Sequence, residues 1–132
     1  MEVFGKSKLK SKNGNKNLGL CLTIYPSSNK VQLSMDLDSL MKVKKGDTVK
    51  LGEDKGKLYI VADGDKVEGF ELRKMGTSYY GFSSRVFSER ILKHFGIIKQ
   101  VIESKSFRFD VTNEPIEFKG HKFYEITGIR KA

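Results

Sequence analysis

From Leu18 the chain alternates, with Leu18, Leu20, Leu22 and Ile24 on one face and Gly19, Cys21, Thr23 and Tyr25 on the other. A period of two predicts a strand, which ends at Pro26 and the Ser27-Ser28-Asn29 turn. Val31 to Met35 predicts a second strand. Leu37, Leu40 and Met41 then recur at i, i+3, i+4 within Asp36 to Val43, the stripe of a short helix. Ser34 or Asp36 can cap its free N–H groups, and Gly46 can supply the left-handed residue that ends it. Thr48 to Leu51 and Leu58 to Val61 read as strands around the turn-rich Gly52-Glu53-Asp54-Lys55-Gly56, and Phe70 to Met75 alternates again.

The second half repeats that order. Tyr79 to Ser83 is a short aromatic strand. Ser84 then caps a helix over Arg85 to Phe95, whose Phe87, Ile91 and Phe95 share one face and which Gly96 ends. Ile97 to Ile102, Ser106 to Val111, Ile116 to Phe118 and Lys122 to Ile126 read as strands, and Thr127 to Ala132 as a frayed tail. Each half is thus strand, short helix, glycine, strand, turn, strand. The pattern divides the chain into a basic arm and first strand (1–30) and a single mainly β domain with two short helices (31–132). That domain holds pseudo-repeats at 31–61 and 80–126.

A chain of 132 residues, 38% apolar and 31% charged, can bury a core without staples. One cysteine, Cys21, excludes an internal disulfide framework and suits a reducing, cytoplasmic compartment. No run of 18 apolar residues predicts a membrane span, and the N-terminus lacks a signal peptide's apolar stretch. Charge changes the picture most. Lys plus Arg number 25 against 16 acids, a net +9, which draws the chain to polyanions. The basic residues cluster: Lys6, Lys8, Lys10 and Lys12 on the arm, Lys42, Lys44 and Lys45 beside the first helix, and Arg85, Arg90 and Lys93 on the second. Acids concentrate instead between Glu53 and Glu71.

Val31-Gln32-Leu33-Ser34, then Leu37, Leu40 and Val43, then Lys44-Lys45-Gly46-Asp47-Thr48-Val49-Lys50-Leu51, resembles the AbrB/SpoVT and MazE swapped-hairpin group. More broadly it is similar to the cradle-loop barrels, including the double-psi barrels, whose repeat carries a glycine-aspartate turn before an apolar strand. The resemblance implies a β-barrel in which Gly46 makes a sharp turn and the Asp47 carboxylate accepts backbone N–H bonds across it. In that group two chains interlock. A chain with both halves would resemble a fused pseudo-dimer acting as a monomer, or it would pair as a homodimer. The second half lacks the Gly-Asp pair.

Candidate chemistry narrows the function classes. Neither His94 nor His121 has metal-ligand spacing, Asp63 and Asp65 lack the rest of a calcium loop, and no histidine is placed to activate Cys21. Asp36 and Asp38 suit a helix N-terminus better than acid–base work. No convergent acid, base and nucleophile predicts an enzyme, and no cofactor or metal is implied. Tyr79-Tyr80 and Phe107-Arg108-Phe109 are the best candidates for stacking bases, though most aromatics alternate as core residues do. The leading expectation is an AbrB-like DNA-binding regulator, with RNA as a further nucleic-acid partner. The alternative is a structural or protein-interaction module, such as a phage or mobile-element assembly or inhibitor protein, whose basic surface binds an acidic protein. Arginines are few, so phosphate contacts by lysine predict weak sequence specificity and strong salt dependence.

Overall fold

The computed structural model describes residues 19–75, 79–97 and 106–130. Among these residues ten strands and two helices follow one another as β1 (Cys21–Tyr25), β2 (Lys30–Leu33), α1 (Met35–Met41), β3 (Thr48–Asp54), β4 (Lys57–Val61), β5 (Phe70–Glu71), β6 (Arg73–Met75), β7 (Tyr79–Ser83), α2 (Arg85–His94), β8 (Phe107–Val111), β9 (Ile116–Phe118) and β10 (His121–Ile129). The sheet order is β5-β3-β4-β10-β8-β1-β2-β7-β6, with β9 on β10, and every pairing is antiparallel. β5 and β6, the two ends of that order, are one segment bent at the fully buried Leu72. The sheet therefore curls back on itself as a nearly closed barrel.

Alternation explains what fills the barrel. Leu22, Ile24, Val31, Leu33, Val49, Leu58, Ile60, Phe109 and Ile126 point inward from their strands, and Leu37, Phe87, Ile91 and Leu92 add one face of each helix. Phe70, Phe82 and Phe87 pack ring on ring, with centroids 4.8 to 5.2 Å apart, and so fasten α2 to the wall. Ser34 and Ser84 cap the helices as expected, accepting the N–H of Leu37 at 3.2 Å and of Phe87 at 3.1 Å.

The pairings make the two halves interchangeable. β1, β2, α1, β3 and β4 correspond in order to β5/β6, β7, α2, β8 and β10. β2 pairs with its counterpart β7, and β4 with its counterpart β10. The second hairpin of each half lies against the first strand of the other, β3 on β5 and β8 on β1. The halves are thus exchanged. Among the described residues the wall begins at Cys21, since β1 pairs on both sides, whereas the repeat in the sequence starts at Val31.

Two local expectations are corrected. The first helix ends at Met41, not at Gly46, because Lys42 itself turns left-handed (φ 57°) and its N–H bonds back to Asp38 and Ser39 carbonyls. The tail is tied down rather than frayed as far as Arg130. β10 runs on through a bulge after Ile126, and the Arg130 guanidinium lies 2.6 Å from Asp110 Oδ1. The strand expected over Ile97 to Ile102 falls largely outside the described residues.

Candidate nucleic-acid interface

Gly46 and Asp47 form the turn that leads α1 into β3. Gly46 adopts φ 93°, a backbone region that disfavours a β-carbon. The Asp47 carboxylate accepts the Lys44 N–H at 3.0 Å, and the Asp47 N–H returns to the Lys44 carbonyl at 3.0 Å. The turn then docks on the bend of the closing strand: the Gly46 N–H donates to the Leu72 carbonyl at 2.9 Å, and the Leu72 N–H to the Asp47 carbonyl at 2.7 Å. Lys44 and Lys45 are consequently held exposed on a loop fixed at both ends.

Lys42 lies beside a cleft of about 240 Å³ that it lines together with His121 and Lys122. Lys119 lies two residues before β10, and the Lys66 ammonium donates to the Gly46 carbonyl at 2.6 Å. The fold thus adds Lys66, His121 and Lys122 to the Lys42–Lys45 cluster. Sequence reasoning passed over them because they lie far along the chain: the β4–β10 pairing brings His121 and Lys122 round, and Lys66 reaches back from the loop after β4. Left-handed lysine is also strained, by roughly 1 kcal/mol. Lys42→Gly is expected to raise thermal stability by about 0.5–1 kcal/mol while removing a charge, a combination that melting curves and a polyanion titration read separately.

The α2 cluster is differently placed. Arg85 pairs with Glu89 one turn on, at 3.3 Å, and Arg90 pairs with Glu53 of β3. Lys93 is exposed. Arg90 and Lys93 line a second cavity, which shares no residue with the cleft at Lys42. The structure therefore gathers the α1 residues with further bases and sets the α2 residues among carboxylates. Lys6, Lys8, Lys10 and Lys12 lie outside the described residues.

Other candidate groups have structural partners. Asp63 and Asp65 clasp the Lys50 ammonium at 2.9 and 2.8 Å. The Lys50 hydrogen bond holds the Asp65 carboxyl down at about 2, helped by the Glu68 and Val67 N–H groups. Burial would raise Asp63, but the same ammonium overrides it and the net direction is down. Burial pushes the Cys21 thiol up, away from the thiolate that reacts. Asp38 stands apart: it is buried in α1, its Oδ1 has no hydrogen-bond partner, and desolvation lifts it to about 7 against the opposing Tyr80 N–H. At the corresponding place in α2, Ser88 donates to Asn29 Oδ1 at 2.9 Å. Of the stacking candidates, Phe109 is fully buried, and Phe107 and Tyr80 pack on the core. Phe118, outside those candidates, is exposed at 59%. Among the described residues no helix is long and apolar enough to cross a membrane, and no three His, Cys, Asp or Glu side chains group as metal ligands.

Comparison with protein-family models, with curated proteins and with solved structures returned no match.

Proposed function

We propose that this chain is a non-enzymatic nucleic-acid-binding protein, a DNA-binding regulator of the AbrB type working in the cytoplasm as a fused pseudo-dimer. The observation that carries this reading is the exchange of hairpins between halves. β3 crosses to β5 and β8 crosses to β1, the interlocking that the Val31–Leu51 resemblance implies for two separate chains. The fusion lets one chain complete its own core. Lys42, Lys44, Lys45 and Lys122 supply phosphate contacts at the α1 end, reinforced by the net +9. Lysine acts there as a point charge, so affinity depends little on base sequence.

The ion pairs on α2 give the proposal an internal contrast. Changing Lys42, Lys44, Lys45 and Lys122 together to glutamine is expected to weaken binding of a labelled duplex by at least about tenfold. Changing Arg85, Arg90 and Lys93 to glutamine is expected to cost much less, since two of these charges already face glutamates. Fluorescence anisotropy on both variants reads the difference. Equal losses would remove the α1 end from its special role. No loss in either would favour the protein-interaction reading, with an acidic partner as the ligand.

A further inference from the structure

The two halves differ at one seam. β8 is covered along most of its length by β1, from Cys21↔Asp110 to Ile24↔Phe107. Its counterpart β3 is covered by β5 only at Thr48 and Val49, and among the described residues no strand pairs with that edge from Lys50 to Asp54. Asp54↔Lys57 closes the β3–β4 hairpin, so the alternation of antiparallel bonds turns the N–H and C=O groups of Leu51 and Glu53 away from β4, toward the open side. A groove runs beside this edge. One cavity of about 510 Å³ lies between β3 and α2, another of about 370 Å³ between the β3–β4 hairpin and β9, and they share Gly52 and Glu53.

The lining fixes the chemistry of an occupant. Leu51, Phe70 and Val86 give the first cavity apolar walls, and Val86 is 76% exposed. Tyr59, Phe118 and Phe123 give the second an aromatic floor. Glu53, Glu68 and Glu89 line the first cavity, and Asp54 and Glu117 the second. The cations there are Lys50, Arg90 and Lys93, of which Lys50 is already held by Asp63 and Asp65. On a chain of net +9 the two cavities together present five carboxylates against three cations, and the second presents carboxylates alone. Arg90 bridges the groove to Glu53, and both partners are about half exposed, so that contact is worth little and is readily displaced.

We propose that the open edge of β3 accepts an extended cationic segment of a partner protein as an added strand. Main-chain bonds to Leu51 and Glu53 would fix its register. Its side chains would then alternate between the two faces of the sheet, the apolar ones entering the first cavity and the lysines or arginines meeting Asp54 and Glu117 at the second. This surface is separate from the α1 end and does not depend on the nucleic-acid reading.

The probe is a blocked heptapeptide alternating lysine and valine, added to the full chain while amide hydrogen exchange is followed residue by residue. At saturation the Leu51 and Glu53 amides are expected to slow by about tenfold or more, with the other β3 amides changed less. The same peptide methylated on alternate backbone nitrogens is expected to lose the effect, and so is a glutamate–valine analogue. Arg90→Gln, which removes the competing cation, is expected to tighten the lysine peptide severalfold. Three results would overturn the proposal: no protection at Leu51 and Glu53, equal protection by the glutamate peptide, or amides already protected in the chain alone. The last would mean that the protein's own residues, or a second copy, fill the seam.

Discussion

Replacing Gly81 by alanine is expected to destabilise the barrel by about 3 kcal/mol or more. Gly81 sits in β7 opposite Gln32 of β2 and Arg73 of β6, at the join between the halves. A β-carbon there would lie 2.2 Å from the Val31 carbonyl oxygen and 3.2 Å from the Gln32 Cα. Both obstacles are backbone, so no side chain can swing aside. Relief requires β2 and β7 to part, and the bonds between Val31 and Phe82 and their neighbours weaken with them. For a domain of this size the melting temperature should fall by roughly 10 °C or more. Ser83→Ala, exposed on the same strand, is the control and should shift it little. A Gly81→Ala protein melting with the wild type would show that β2 and β7 do not approach so closely.

The second large effect is a pH dependence of stability that runs opposite to acid denaturation. Asp38 is raised to about 7, chiefly by burial, from an ordinary carboxylate value of 3.8. Between those values the folded chain holds a proton that the unfolded chain releases, so stability must fall as pH rises. The stabilising share is complete below about pH 4 and is lost as pH passes 7. From pH 5 to pH 8 the loss amounts to about 2–3 kcal/mol. Asp65 moves the other way, but with its carboxyl at about 2 its contribution is already in place above pH 5 and fades only in stronger acid. Urea unfolding of wild type and Asp38→Asn at pH 5 and pH 8 checks this. The wild type is expected to be weaker at pH 8, and the variant to lose most of that slope. Equal slopes would mean that Asp38 stays ionised in the fold.

Much of the wall was legible in the sequence because two-residue periodicity survives wherever one strand face is buried. β4, β7 and β8 lie within a residue or so of the periodic runs, β1 starts three residues after the run from Leu18, and the serine caps began both helices. Three kinds of feature escaped. Lys42 ends α1 in a conformation its residue type disfavours, with the Lys42 and Val43 N–H groups bonded back to the last turn of the helix and Val43 buried beyond it. The hairpin turn contracts to Lys55-Gly56, both with positive φ, so that Gly52 to Asp54 join β3 although their composition reads as loop. Phe70 to Met75 read correctly as extended, but that this one segment closes the barrel by bending at Leu72 is a matter of long-range pairing. The candidate site divides in the same way. Local charge runs marked Lys42, Lys44 and Lys45, while Lys122 and the neutralising Glu53 and Glu89 depended on which elements the fold placed side by side or on a helical turn.

The most direct test of the account titrates the wild-type chain into a labelled 25-base-pair duplex at 50 and 200 mM salt and follows anisotropy. Four phosphate contacts, the number of lysines assigned to the α1 end, predict that binding weakens by about a hundredfold across that range. A duplex bound no more weakly at the higher salt, or not bound at all at 50 mM by a chain of net +9, would contradict the nucleic-acid reading and leave the lysines to an acidic protein partner.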